Sequence, residues 1–157
     1  MPTADDAAVA VRLRAATARL NRRLRRQSDA PATQSQLSAL GSIEQAGAVT
    51  LGELAAREQV TPPTMTRVVQ ALEAQGWVAR SADPDDGRVS RLTLTGGGHA
   101  LLADVRGSRD AWIARRLGEL SPAERADVPR LVELLELLAD RPPADHRERP
   151  AAGVGTA

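Results

Sequence analysis

The segment TPPTMTRVVQALEAQG, residues 61–76, concentrates side chains whose chemistry is recognition rather than bond making. The planar fork of Arg67 can donate twice to a guanine edge, and the amide of Gln70 matches the donor and acceptor of adenine. Thr64 and Thr66 suit a phosphate oxygen or a thymine methyl. If the segment is helical, Met65, Val68, Val69 and Leu72 fall on a core-facing side, and Pro63, Thr64, Thr66, Arg67 and Gln70 occupy the first turn and the opposite side. The plainer alternative is that the threonines only assist the helix start and Arg67 is solvated. A second cluster, ADPDDGRVSR, packs three aspartates, a proline and a glycine into one stretch and follows them with Arg88 and Arg91. Its alternative is an acidic, solvated turn.

Other chemistries lack their residues. With no cysteine, disulfides, thiolate metal sites and cysteine nucleophiles are excluded. His99 and His146 are too few and too far apart for a metal centre. No glycine-rich cofactor loop follows a strand, and no nucleophile, base and orienter stand together, so neither catalysis nor a cofactor is expected. All 21 cations apart from histidine are arginine, against 20 carboxylates, so every one can grip a phosphate or a guanine in two places. No apolar run reaches the ~20 residues of a membrane span, and MPTADDAAVA lacks a basic leader region, which predicts a cytoplasmic protein.

The elements that position these clusters follow from periodicity and caps. Val9, Leu13, Ala16, Leu20 and Leu24 predict a long helix over 6–27. Thr33 with Gln36 opens a second helix closed by Gly47, and Thr50 with Glu53 opens a short third one. Thr61 caps the next, with Pro62 at its first position and Gly76 at its end. WVARS and RVSRLTL read as two strands whose hairpin tip carries the Asp83-Pro84 and Asp86-Gly87 turn residues. Thr95 caps a further helix bearing Leu101, Leu102, Val105, Trp112, Ile113 and Leu117, despite three initial glycines. Ser121, Pro122 and Glu124 start the last, in which Pro129 predicts a kink or a break. The Pro, Gly and Ala-rich residues 141–157 are expected to be mobile.

Helix, helix, short turn, helix and hairpin is the order of a winged helix-turn-helix, mainly α with a small β-hairpin wing. The stretch 61–102 also resembles the MarR family of bacterial transcription regulators. Thr64, Thr66 and Arg67 match a T-x-T-R helix, residues 72–80 an L-E-x-x-G-x-V-x-R turn, 83–88 (DPDDGR) a wing of aspartates ending in arginine and 94–98 an L-T-x-x-G start. The resemblance spans about residues 5–139 as one domain, with a DNA-binding lobe at 33–95 and dimerisation helices at 5–30 and 96–140. It implies a homodimeric repressor of a palindromic operator. It further implies that Arg88 enters a minor groove, that Asp86 orients Arg88, and that a small phenolic or lipophilic effector binds a cavity that Trp112 could line. Core packing is the alternative for Trp112, which, with Trp77, is one of two aromatic residues. Arg91 or Arg80 is expected on phosphate. Two other functions stay open: a winged helix that binds protein without touching DNA, and an accessory module of an enzyme.

Overall fold

A computed structural model describes residues 3–83, 86 and 88–140. They divide between Arg115 and Arg116 into two compact units. In the first, helix α1 covers Ala4–Arg25 and is capped reciprocally by Thr3 and Asp6. Helix α2 covers Gln34–Ala46, with Thr33 and Gln36 exchanging the same pair of bonds, and ends at Gly47, whose φ of 74° suits glycine. Helix α3, Leu51–Arg57, starts at the Thr50 and Glu53 box.

Helix α4 covers Pro62–Ala74. Thr61 has the extended backbone of a cap, but its hydroxyl bonds the Thr64 hydroxyl at 2.9 Å and not a backbone N–H. Prolines at the first two helical positions supply no N–H there, which removes one of the donors a cap would serve. The other end closes as a Schellman turn: Gly76, at φ 70°, donates to the Glu73 carbonyl and Trp77 to that of Leu72.

Strands β2, Val78–Ala82, and β3, Ser90–Leu94, form the expected antiparallel pair, with Val78 opposite Leu94 and Ala82 opposite Ser90. The sheet has a third strand that sequence reading did not anticipate. Val49–Thr50, β1, pairs with Leu92 and Arg91, giving the order β1-β3-β2. Two residues are too few to show a period of two, so only the tertiary pairing reveals them.

Helix α5, Gly96–Gly118, begins where the Thr95 hydroxyl accepts the Gly98 N–H. The third of its glycines has a packing reason: a Cβ at Gly98 would stand 2.2 Å from the Trp77 carbonyl oxygen. Leu40 and Ile43 of α2, Leu54 of α3, Val69 and Leu72 of α4, Val49 and Leu92 of the sheet and Leu102 of α5 make one core. α1 adds no buried side chain among those described; Val9 is 54% and Leu20 47% exposed.

In the second unit, helix α6 runs unbroken over Pro122–Asp140. The break foreseen at Pro129 does not occur. Proline removes one N–H there, and because Arg125, four residues earlier, is exposed, its carbonyl loses a partner without being shut away from water. Leu131, Leu134, Leu137 and Leu138 of this helix are all exposed. The stretch 141–157, His146 included, lies outside the described residues.

Candidate nucleic-acid interface

Helix α4 sorts its side chains as the periodicity requires. Met65, Val69 and Leu72 are buried and Val68 is half-buried, while Pro63, Thr64, Arg67 and Gln70 are exposed. Thr66 is intermediate, and its hydroxyl donates to the Pro62 carbonyl at 2.9 Å. That bond commits its proton, leaving the methyl and the oxygen lone pairs for other contacts. Since Pro62 and Pro63 have no N–H, Thr64 carries the first backbone donor of the helix, so an anion at this end would meet a reduced set of donors.

The turn from α3 to α4 places Gln59 at φ 55°, a left-handed conformation that side chains other than glycine adopt at a cost. Its neighbour Glu58 accepts from the Ser42 hydroxyl on α2, which ties the turn to the helix behind it. Val60 N–H donates to the Ala55 carbonyl at 3.0 Å and fixes how α4 leaves the turn.

The wing is organised by a residue that sequence reading placed in the turn without a binding role. Asp83 is the one buried charged or polar residue among those described, 7% exposed. One carboxylate oxygen accepts the Asp86 N–H at 3.1 Å and the other accepts Nε of Arg91 in a salt bridge. Its own N–H donates to the Val89 carbonyl at 2.8 Å, and the Val89 N–H returns to the Asp86 carbonyl at 2.9 Å. Asp86 in turn accepts the backbone N–H of Arg88 at 3.0 Å. The contact foreseen between Asp86 and Arg88 therefore runs to the main chain: the carboxylate fixes the backbone from which the exposed Arg88 side chain departs. Pro84 and Gly87, the other turn residues, lie outside the described ones.

Both arginines considered for phosphate are held by carboxylates. Arg91 pairs with Asp83, and Arg80 of β2 donates from Nε and Nη2 to Glu73 of α4 at 3.1 and 3.3 Å. The Glu73 hydrogen bonds raise the Arg80 pKa above its ordinary value. This bidentate pair clamps the end of α4 to the first wing strand, so the exposed face of the helix and the wing share one rigid base.

A cavity of about 350 Å³ lies between α2 and α5, lined by Leu37, Ser38, Ser42, Leu102, Val105 and Arg109 among others. Nε and Nη2 of Arg109 are buried with no hydrogen-bond partner among the described residues. Trp112, one turn further along α5, is half-buried and does not line this cavity. His99 faces Glu44 at 3.6 Å, beside the Arg106 and Glu44 ion pair. No group of three metal-ligating side chains occurs among the described residues. No described helix is long and apolar enough to cross a membrane.

A short helix, a tight turn, a second helix with a polar outer face and a wing clamped to its end define the winged helix-turn-helix class. Comparison with known proteins makes this specific. The model of the MarR family matches residues 32–90. An HTH-type transcriptional regulator of Mycobacterium tuberculosis is 40% identical over 140 residues, 88% of this chain and 98% of that protein. The HTH-type transcriptional repressor MdtR of Bacillus subtilis is 29% identical over 123 residues, 78% of this chain and 77% of MdtR. A solved transcriptional regulator of Pseudomonas aeruginosa PA01 superposes with a TM-score of 0.80 at 35% identity, covering 90% of this chain and all of that one. The chain belongs to the MarR family of transcriptional regulators.

Proposed function

We propose that the protein is a homodimeric, sequence-specific repressor that docks α4 in the major groove and its wing in the adjoining minor groove, working in the cytoplasm. The observation that carries this is the division of α4: a buried Met65, Val69 and Leu72 side holds the helix, and Arg67, Gln70, Thr64 and Pro63 stand exposed on the rest. Arg67 and Gln70 read base edges, and Pro63 and Thr66 present carbon to a thymine methyl. Thr64 contacts phosphate through its N–H. Arg88 extends from a tip fixed by Asp86 and Asp83 into a groove whose narrowness concentrates negative potential. Arg91 stiffens the wing through Asp83 and meets phosphate only along its outer edge.

Two copies related by a two-fold axis select half-sites about one helical turn, ~10 bp, apart. The domain then divides into the DNA-binding lobe, 33–95, and dimerisation segments at 5–30 and 96–140. Release by a small phenolic effector fits the cavity between α2 and α5, where the unpartnered Arg109 nitrogens would donate to its oxygen. Trp112 serves that site from its border.

Selection of bound duplexes from a random library, followed by titration of variants, tests this reading. An imperfect palindrome should emerge. Arg67→Ala should cost about 1–3 kcal/mol on that site and less on random DNA. Arg88→Ala should weaken both more evenly and lower the salt slope by about one unit. Failure to enrich any sequence, with no salt-dependent binding, would overturn the proposal in favour of a protein-binding winged helix.

A further inference from the structure

One charged surface is left over by this docking geometry. Arg19, Arg22, Arg23 and Arg26 stand at intervals of three, four and seven along α1 and its C-terminal cap, all exposed, and together line a concavity of about 220 Å³. None of the four pairs with a carboxylate among the described residues. Like charges at these intervals are neighbours on a helix and repel. The helix dipole favours cations in the last turn, which covers Arg22 and Arg23 but leaves Arg19 without an explanation. The dipole accounts for only part of the cluster, and the unpaired charge that remains points to an anionic partner.

The identity of that partner follows from where α1 ends. Arg25, on a neighbouring side of the same last turn, lines a cleft of about 290 Å³ with Thr64 and Met65 of α4 and Val60 of the turn before it. The basic end of α1 thus adjoins the start of the helix that reads DNA. From Arg19 to Arg26 the helix advances about 10 Å, a length over which a duplex presents about six phosphate charges.

We infer that Arg19, Arg22, Arg23 and Arg26 form an additional DNA contact, a strip that grips backbone phosphates outside the base pairs read by α4. This inference rests on the DNA-binding function proposed above. It adds affinity without sequence preference and makes the length of the duplex matter.

The full chain is titrated by fluorescence anisotropy on two duplexes: the selected palindrome trimmed to its half-sites, and the same palindrome with about ten base pairs of random sequence on each side. The R19Q/R22Q/R23Q/R26Q variant should retain wild-type affinity for the short duplex. On the long one it should lose about tenfold, with the salt slope falling by about 0.9 for each phosphate contact removed. Glutamine keeps helix propensity and relieves the repulsion, so the melting temperature should not fall. Should the quadruple variant fail to fold, the single charge reversal Arg22→Glu serves, with the same loss expected on the long duplex alone. Equal binding of wild type and variant to the long duplex overturns the inference and leaves the proposed function standing. A wild-type chain that binds neither duplex overturns both. If the wild type sediments with phosphatidylserine vesicles while duplex length has no effect, the strip belongs to a membrane surface and the inference also falls.

Discussion

Asp83 holds the wing with three ties: its carboxylate accepts the Asp86 N–H and the Arg91 guanidinium, and its backbone N–H donates to the Val89 carbonyl. Asp83→Ala would strand Arg91 beside a buried hollow and leave the Asp86 N–H without its acceptor. A lost bond to a charged group of this kind costs about 1–3 kcal/mol. The variant should unfold at lower urea, exchange the Asp86 and Val89 amides faster, and bind DNA as weakly as Arg88→Ala does. Unchanged exchange at both amides would remove Asp83 from this role. Sequence reading singled out Arg88 and Asp86 as DNA contacts and gave Asp83 only a turn position, because three aspartates in one turn look alike until strand pairing decides which is buried. The register that sets Ala82 opposite Ser90 turns Asp83 inward, and that register is a tertiary fact.

Elements announce themselves at their ends. The boxes at Thr33, Thr50 and Ser121 were legible because a hydroxyl and a carboxylate or amide three residues on form a local contract that folding does not rewrite. β1 was not legible, since its existence depends on Leu92 and Arg91, some forty residues away. Nor did Pro129 end its helix, because an exposed helix tolerates one missing bond where a buried one would not. Thr50→Ala should cost about 1 kcal/mol by urea denaturation, as lost N-caps do. The same box has a pH signature. The Thr50 N–H, then the Thr50 hydroxyl, hold the Glu53 carboxyl below its ordinary value of 4.5. A carboxyl lowered on folding contributes stability that is complete above its unfolded value and lost as pH falls through that value toward the folded one. Thr3 lowers Asp6 and Ser121 lowers Glu124 in the same sense, so the acid limb sums several caps. Glu53→Gln should flatten that limb below about pH 5 and leave stability at pH 7 to 8 reduced; a limb that keeps its slope would show that this box is not a source of it.

For the molecule as a whole, exposed apolar surface is the governing fact. Val9, Val11 and Leu20 on α1 and Leu131, Val132, Leu134, Leu137 and Leu138 on α6 are too many large apolar side chains for a monomer to leave in water. A second copy is the occupant proposed for both helices. Deleting residues 5–27 should abolish dimerisation and DNA binding together, measured by light scattering and by titration of the selected duplex. An intact chain that is monomeric at micromolar concentration would contradict this. The apolar stripes of these helices were legible in the sequence because they are local, while their outward direction depends on a core that α2 to α5 complete among themselves.

The contact between Gly98 and Trp77 has a meaning for how this chain can vary. A side chain at 98 would collide with main chain, which no rotamer relieves, whereas a Cβ at 97 meets its nearest neighbours at ordinary distance and one at 96 meets nothing. Of three identical consecutive letters, then, one is irreplaceable and two are open to drift. The Thr95 hydroxyl reaches the Gly76 carbonyl and its N–H the Trp77 carbonyl at this same joint. The exit of α4, the root of the wing and the head of the longest helix thus meet within a few ångströms. Inheritance has freedom in the GGG triplet only up to its last position, and there the whole lobe casts the deciding vote.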